Sequence, residues 1–464
     1  MTKATLTSDS LEPSAVFSAW QQQLNTAPQI LVALSGGLDS TVLLQLLVAT
    51  VSPGRLCAVH VNHGLSANAD QWQAQAEDCC RSLGVQLHCE TVEVTPAGEG
   101  IEAAARHARY AVFEGLLQKD GLLLLGHHAD DQVETFLYQM LRGSGAKGLS
   151  GMPEQRVLGR GQLIRPLLST SKAQLKDYAL TQKLTWCEDE SNADDRFDRN
   201  YLRNQVVPAI AQRWPDYRQS IGLSAELSSE SEQLAAVLAE EDFARLAGRE
   251  ERAGWSICVN QLLKLNDLRQ RNILHHWPGV NNLAKPNKTI IAQIKDSVVG
   301  AREDGEPEVV WQSTRWRRFR NRLYLLRNGS VERHSEQPHS ELGCDSNKAL
   351  DSWWSAEEPL ELADGSSLVA EDVDGAGLLI PQGQLLTVRY RRGGERCRPV
   401  GRGHSNSLKK LLLEYEVEPW WRDRMPLLYM GETLVAVGDC WICEGWQAAP
   451  QQRGKKIHWQ VNSL

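Results

Sequence analysis

The sequence predicts an α/β fold. It reads as a parallel sheet with flanking helices in the N-terminal part, then a mostly helical middle domain, then a small α+β C-terminal domain. Three observations lead there. Between Gln29 and Leu168, short Val- and Leu-rich runs alternate with helix-length segments, as in a chain of βα units. Past Pro208 the composition turns to Glu, Ala and Leu, which favour long helix. The 464 residues also exceed the roughly 250–300 that one hydrophobic core supports, so about three domains are expected.

In order, Ile30–Leu34, Leu56–Val61, Gln86–Val94, Leu122–Leu125 and Leu163–Leu168 read as strands. Thr41–Thr50, Ser66–Leu83, Glu102–Gln118 and Asp130–Leu141 read as the helices between them. Ile221–Leu246 reads as one long helix, with more helix through Trp277, and Glu308–Leu326 as two strands around a turn at Asn321. The polar stretch Asn328–Asn347 has the composition of a linker. Beyond it come short strands, glycines and one helical run, Ser407–Tyr415. The expected domains are residues 1–218, 219–330 and 345–464.

Composition narrows the function. The net charge is −8, which excludes a generally basic nucleic-acid binder but leaves room for local basic patches. No apolar run approaches the ~18 residues of a membrane span, so no membrane partner is expected. The first residues lack the apolar core of a signal peptide. Ten cysteines in so long a chain read as free thiols in a reducing cytoplasm.

Parallel sheets bind ligands beyond the carboxyl ends of their strands. At the end of the first strand lies Ser35-Gly36-Gly37-Leu38-Asp39-Ser40, followed by a helix. Two glycines let backbone approach an anion closely, and the helix start adds unpaired N–H groups. Ser35 and Ser40 supply hydroxyls, and Asp39 can hold a magnesium ion bridging phosphates. The Lys of a Walker loop is missing.

This hexapeptide resembles the loop of the pyrophosphatase-loop (PP-loop) ATP ligases, which cleave ATP between the α and β phosphates. The segments Val61–Leu65, Glu102–Arg109, Gly126–Glu134, Arg142–Gly145, Arg165–Leu168 and Arg199–Arg203 are similar to the tRNA(Ile)-lysidine synthetase branch of that family. The likeness resumes at Arg391–Lys410 and Gly438–Cys443. It implies a PP-loop nucleotide-binding domain and a reaction on an isoleucine tRNA with a CAU anticodon. ATP would adenylate C2 of the wobble cytidine, and free L-lysine would then attack C2 and expel AMP. A homodimer is left open.

The residues can be matched to those two steps. Adenylation needs the Ser35–Ser40 cradle with Mg2+ on Asp39. Arg109, Arg199 and Arg203 are candidates for phosphate contact, since guanidinium forks match phosphate oxygens. Lysine attack needs a cation site, because at neutral pH only about one lysine in ~2,000 has a neutral ε-amine. Asp131 and Glu134, three apart at a helix start, share a face and could hold the ammonium, with one taking its proton. Asp130 points about 100° away. His127 is expected to contact nucleotide or base, and His63 is a weaker candidate at another strand end. The expected catalytic set is thus Asp39, His127, Asp131 and Glu134.

Two stretches reverse the acidic balance. Arg315–Arg327 carries six Arg among Trp316, Phe319 and Tyr324, and Arg389–Lys410 carries six Arg and two Lys against Glu395 alone. Either suits a phosphodiester backbone, and either could be a solvated strand edge. For Arg391–Arg402 the resemblance favours RNA contact. Trp420 and Trp421 read as core in preference to stacking platforms. Cys440 and Cys443 form a CxxC, but on a strand they would face opposite ways, so packed thiols are expected. The rival functions are another PP-loop tRNA enzyme such as a cytidine thiolase, and a non-catalytic RNA-binding protein.

Overall fold

The computed structural model describes residues 11–66, 68–94, 101–302, 305–327 and 352–461. The expected linker Asn328–Asn347 lies outside them. The chain forms two compact units, residues 1–233 and 234–464.

The first unit is built on a six-stranded sheet. Its elements run β1 (Ile30–Ala33), α1 (Leu38–Val48), β2 (Leu56–Asn62), α2 (Ala69–Leu83), β3 (Gln86–Thr91), α3 (Ile101–Leu116), β4 (Leu122–Leu124), α4 (Ala129–Leu141), β5 (Gln155–Leu158), β6 (Gly161–Ile164) and α5 (Lys172–Thr181). The strand order is β3-β2-β1-β4-β6-β5. All neighbours pair parallel except β5 with β6. The sheet is buried on both faces: Ile30, Val32 and Leu124 pack on one side with α1, Leu31, Leu123 and Phe113 on the other. That is why its strands read as unbroken apolar runs. The order reverses at β1, between β2 and β4, and the loop Ser35–Ser40 leaves from that point.

Two details differ from expectation. The last parallel strand covers Gly161–Ile164, not Leu163–Leu168, because Pro166 has no N–H to continue the ladder. The antiparallel edge strand β5 was not foreseen; its pattern is polar on the exposed side and short.

In the second unit the expectation of helix through Trp277 needs correcting. After the long helix Tyr217–Arg245, whose last turns enter this unit, a hairpin Arg249–Glu251/Gly254–Cys258 intervenes before helix resumes with the single turn Val259–Leu262 and then Asp267–Val280. Gly254 is required there: a Cβ would lie 2.1 Å from the Leu325 carbonyl oxygen. Glu308–Leu326 holds three strands, Glu308–Trp311, Thr314–Phe319 and Arg322–Arg327, not two. The turn at Asn321 is where the sequence put it; a second, at Gln312 with φ +49°, was hidden in the polar run. These strands and the hairpin make one five-stranded antiparallel sheet around Trp316, Leu323 and Leu325.

The C-terminal part has five-, three- and two-stranded antiparallel sheets and the expected helix, Leu408–Glu414. Trp421 is buried, and Trp420 packs edge-on against Phe319 and Tyr324. Cys440 and Cys443 do not pair with each other. Cys443 is buried and shares a hydrogen bond with the Cys397 thiol instead. All described cysteines are free.

Candidate active site

The loop after β1 is held open from within. Gly36 has φ +84°, a conformation that disfavours any side chain. The Ser40 hydroxyl donates to the Gly37 carbonyl (3.1 Å) and accepts from Ser35 N–H (3.2 Å), while the Ser35 and Ser40 hydroxyls lie 3.0 Å apart. Gly126, at the end of β4, lets that strand end approach closely. A Cβ there would be 3.0 Å from the Asp39 carbonyl and 3.1 Å from Ser40 N. The Gly36 carbonyl accepts from Cys187 N–H (2.8 Å), fastening the segment after α5 across the loop.

These elements wall a cavity of ≈ 1040 Å³ within the first unit. Of the expected residues, Ser35, Gly37, Leu38, Asp39, Ser40, His63, Arg109, His127, Asp131 and Arg203 line it. Gly36 shapes the loop behind it. Arg199 is exposed and outside the lining. Asp39 Oδ1 is buried with no hydrogen-bond partner among the described residues, and Oδ2 lies 3.6 Å from His128 Nε2. An orphaned carboxylate oxygen at the mouth of an anion loop is chemically suited to a divalent cation.

The start of α4 distributes its acids differently. His128, 1 % exposed, caps the helix: its Nδ1 accepts from Asp131 N–H (3.3 Å) while Asp131 Oδ2 accepts from His128 N–H (3.0 Å). Burial alone would lower the His128 pKa, but Asp39, Asp131 and Asp130 outweigh it and raise it. Asp130 turns away, as expected, to accept from Lys172 N–H (2.8 Å) and Arg218 (2.7 Å).

Asp131 faces the cavity; Glu134 does not. Glu134 is 4 % exposed, and both of its oxygens accept from Arg203, at 2.6 and 2.8 Å. The two acids share a helix face as the spacing required, but Arg203, reaching in from Leu202–Val206, covers Glu134 and extends to within 3.6 Å of Asp131. Burial leads Glu134 to a raised pKa despite Arg203. Arg203 therefore blocks the expected direct contact of Glu134 with an ammonium.

His127 is half-buried. Its Nδ1 accepts from Arg165 Nε (3.2 Å). Burial, then Arg165, Arg106, Arg109 and His128, push its pKa down to about 3, so it is neutral at physiological pH. Arg109 has no carboxylate partner among the described residues and faces open space in the cavity. His63 Nδ1 is buried without a hydrogen-bond partner among the described residues, and burial followed by Arg109 lowers its pKa.

Sequence reasoning missed the wall made by Trp186–Asp195. Cys187, Glu188, Asp189, Glu190, Asn192 and Asp195 all line the cavity, as do Lys172 and Lys176 from α5. The available signal was the dense acid run Glu188-Asp189-Glu190 directly after Trp186 and Cys187.

Three family models match the chain: the PP-loop domain over residues 13–210, the TilS substrate binding domain over 258–324, and the TilS substrate C-terminal domain over 386–459. A tRNA(Ile)-lysidine synthase of Coxiella burnetii is 38% identical over 93% of this chain and 92% of its own. One from Serratia proteamaculans is 40% identical over 95% and 97%, and one from Escherichia coli O157:H7 38% over 95% and 99%. The chain belongs to the tRNA(Ile)-lysidine synthase family. Its PP-loop domain is the parallel sheet described above, and its two substrate domains are the antiparallel sheets of the second unit. No described helix is long and apolar enough to cross a membrane.

The two Arg-rich stretches separate in this setting. In Arg315–Arg327, Arg315 and Arg317 pair with Glu308, Arg318 donates to the Val299 and Ala301 carbonyls, Arg320 pairs with Glu416, and Arg322 donates to Ser256 and the Ala247 carbonyl. These arginines are taken up by the protein itself, but not as a solvated strand edge: both strands lie inside the five-stranded sheet, and Arg315 is buried. In Arg389–Lys410, Arg392, Arg396 and Arg398 are exposed, and the pairs formed are at the surface.

Proposed function

We propose that this chain ligates L-lysine to C2 of the wobble cytidine of an isoleucine tRNA with a CAU anticodon, consuming ATP and releasing pyrophosphate and AMP. The observation that carries it is one cavity holding the Ser35–Ser40 loop, the orphaned Asp39 Oδ1, Arg109 with no carboxylate partner among the described residues, and the carboxylate of Asp131. Family membership supports the same reaction. Phosphates would sit on the loop's N–H groups and the two serine hydroxyls. Mg2+, held by Asp39, would neutralise charge developing between the α and β phosphates. Arg109 would bind a phosphoryl oxygen.

The cytidine C2 oxygen attacks the α-phosphorus, the bond to the β,γ-pyrophosphate breaks, and an adenylated base results. Asp131 then receives the ε-ammonium of lysine, and Arg203 is held beside it by Glu134. With its proton passed to the Asp131 carboxylate, the amine attacks C2, and the C2–O bond breaks with AMP as leaving group. The acidic wall Glu188–Glu190 favours a cationic substrate on that side. The chain works in the cytoplasm, and residues 1–218, 219–330 and 345–464 are its functional domains. A cytidine thiolase is less well supported: Cys187 is the only cysteine lining the cavity among the described residues, and its thiol donates to Gln75. The test is incorporation of labelled lysine into the isoleucine tRNA with ATP. Labelled AMP and pyrophosphate without lysine incorporation would sink the reading.

A further inference from the structure

Arg165 follows β6 at the point where the chain leaves the sheet, with its backbone N–H held by the Glu154 carbonyl (2.8 Å). It is 3 % exposed, which is unusual for a guanidinium. Nη1 donates to the Pro153 carbonyl (2.6 Å), Tyr110 shares a hydrogen bond, and Nε donates to His127 Nδ1 (3.2 Å). Arginine has no acceptor and stays charged, so Nδ1 of His127 must carry the lone pair and the ring proton must sit on Nε2. Nε2–H has no partner among the described residues, and its ring lines the cavity beside Asp131, Arg109 and the end of β4.

We propose that Arg165 is a positioning residue: it fixes His127 as the neutral Nε2–H tautomer, so that His127 serves adenylation as a hydrogen-bond donor to a phosphoryl oxygen and not as an acid or base. The assignment rests on the ligase reading above. A donor that cannot protonate keeps its hydrogen bond across the whole working pH range, and a rigid donor needs no reorganisation as charge develops. The cations facing the ring, Arg165 after β6, Arg106 and Arg109 on α3 and the adjacent His128, all oppose a second proton; Asp39 and Asp131 lie against the neighbouring His128.

The experiment is nitrogen-15 NMR of the full chain labelled at histidine, with His127→Gln to identify the resonance, alongside pyrophosphate release with ATP and the isoleucine tRNA. The wild type should show the Nε2–H tautomer unchanged from pH 5 to 8. Arg165→Met should lose that single tautomer, raise the pH at which His127 takes a proton, and slow release about ten- to a hundred-fold, as lost outer partners do. Arg165→Lys, which restores one N–H and the charge, should recover part of both. A wild-type His127 that titrates between pH 5 and 8, or carries its proton on Nδ1, overturns the proposal even if Arg165→Met fails to fold. So does a folded Arg165→Met with wild-type rate and tautomer. A wild type with the expected tautomer but no pyrophosphate release overturns the ligase reading, and with it the phosphoryl acceptor, while leaving the ring chemistry standing.

Discussion

The charged groups of the two units are handled in opposite ways. Around the cavity of the first unit, Asp39 Oδ1 has no hydrogen-bond partner among the described residues, Arg109 faces open space, and Asp131 points inward. In the second unit, Arg315 and Arg317 close on Glu308, and Arg424 closes on Asp364 (2.8 Å), whose side chain has no solvent exposure. A buried charge without a partner is costly, so a fold keeps one only where something else is to arrive. Density of charge in the sequence is therefore a poor guide to function; what distinguishes the regions is whether each charge is already spent.

The largest effect should come from the most open charge. Asp39→Asn removes the negative charge but keeps size, so the cavity should survive. We expect pyrophosphate release to drop on the order of a thousand-fold or more, the cost of losing charge stabilisation at a phosphoryl transfer. The thermal midpoint should stay at the wild-type value. Pyrophosphate release at the normal rate would remove Asp39 from the magnesium role and blur the contrast between the units.

The opposite result is expected where charge is spent. Arg424→Met strands Asp364, which also accepts from the Ser366 hydroxyl and N–H. Breaking one side of such a buried pair costs about 3–5 kcal/mol, read in urea unfolding of the full chain, with little change in ATP binding. The pH dependence has a definite sign. Burial would raise the Asp364 pKa, but Ser366 and Arg424 lower it overall. The pair's contribution is therefore present above the unfolded carboxylate value, ~3.9, and is lost as pH falls through the lower folded value. The variant should lose the part of this acid-side dependence that comes from Arg424 and keep the part from Ser366. Equal stability of variant and wild type at pH 7 would contradict it.

Glu134 is the intermediate case, a spent charge next to open ones. Glu134→Gln loosens Arg203 and alters the field at Asp131. The apparent lysine KM should rise about ten-fold, near the worth of one charged hydrogen bond, with the ATP KM moving much less. A shift in ATP affinity alone would assign Arg203 and Glu134 to the nucleotide.

That pair also marks the limit of what the sequence could reveal. The βα alternation, the loop at the reversal of strand order and the i,i+3 face of Asp131 and Glu134 are local patterns, and all were legible. Arg203 covering Glu134 lies 69 residues away along the chain, and nothing local signals it. The hairpin at Arg249–Cys258 was lost for a related reason: its second strand, Gly254–Cys258, pairs with Arg322–Arg327, so the partner that ties it into the sheet is distant. Likewise, the acid wall Glu188–Glu190 belongs to the cavity only because Cys187 is tied to Gly36.

The smallest effect should separate the two Arg-rich stretches themselves. Arg396 is exposed and makes only a 3.3 Å hydrogen bond to the Ser405 carbonyl, and Arg392 is exposed beside it on the same loop and ribbon. Surface pairs such as Arg398 with Glu444 contribute about 0–1 kcal/mol and give way readily to a phosphate. If this ribbon binds tRNA backbone, Arg392→Ala with Arg396→Ala removes two phosphate contacts. The slope of log affinity against log salt should then flatten by about 1.4–1.8, at ~0.7–0.9 per contact. The matching double change Arg317→Ala with Arg318→Ala should leave that slope alone, because those guanidiniums are held by Glu308 and by the Val299 and Ala301 carbonyls. ATP binding should be unaffected in both. Equal slopes for wild type and the first double variant would show its charges to be a solvated face, and would leave tRNA recognition to other surfaces of the chain.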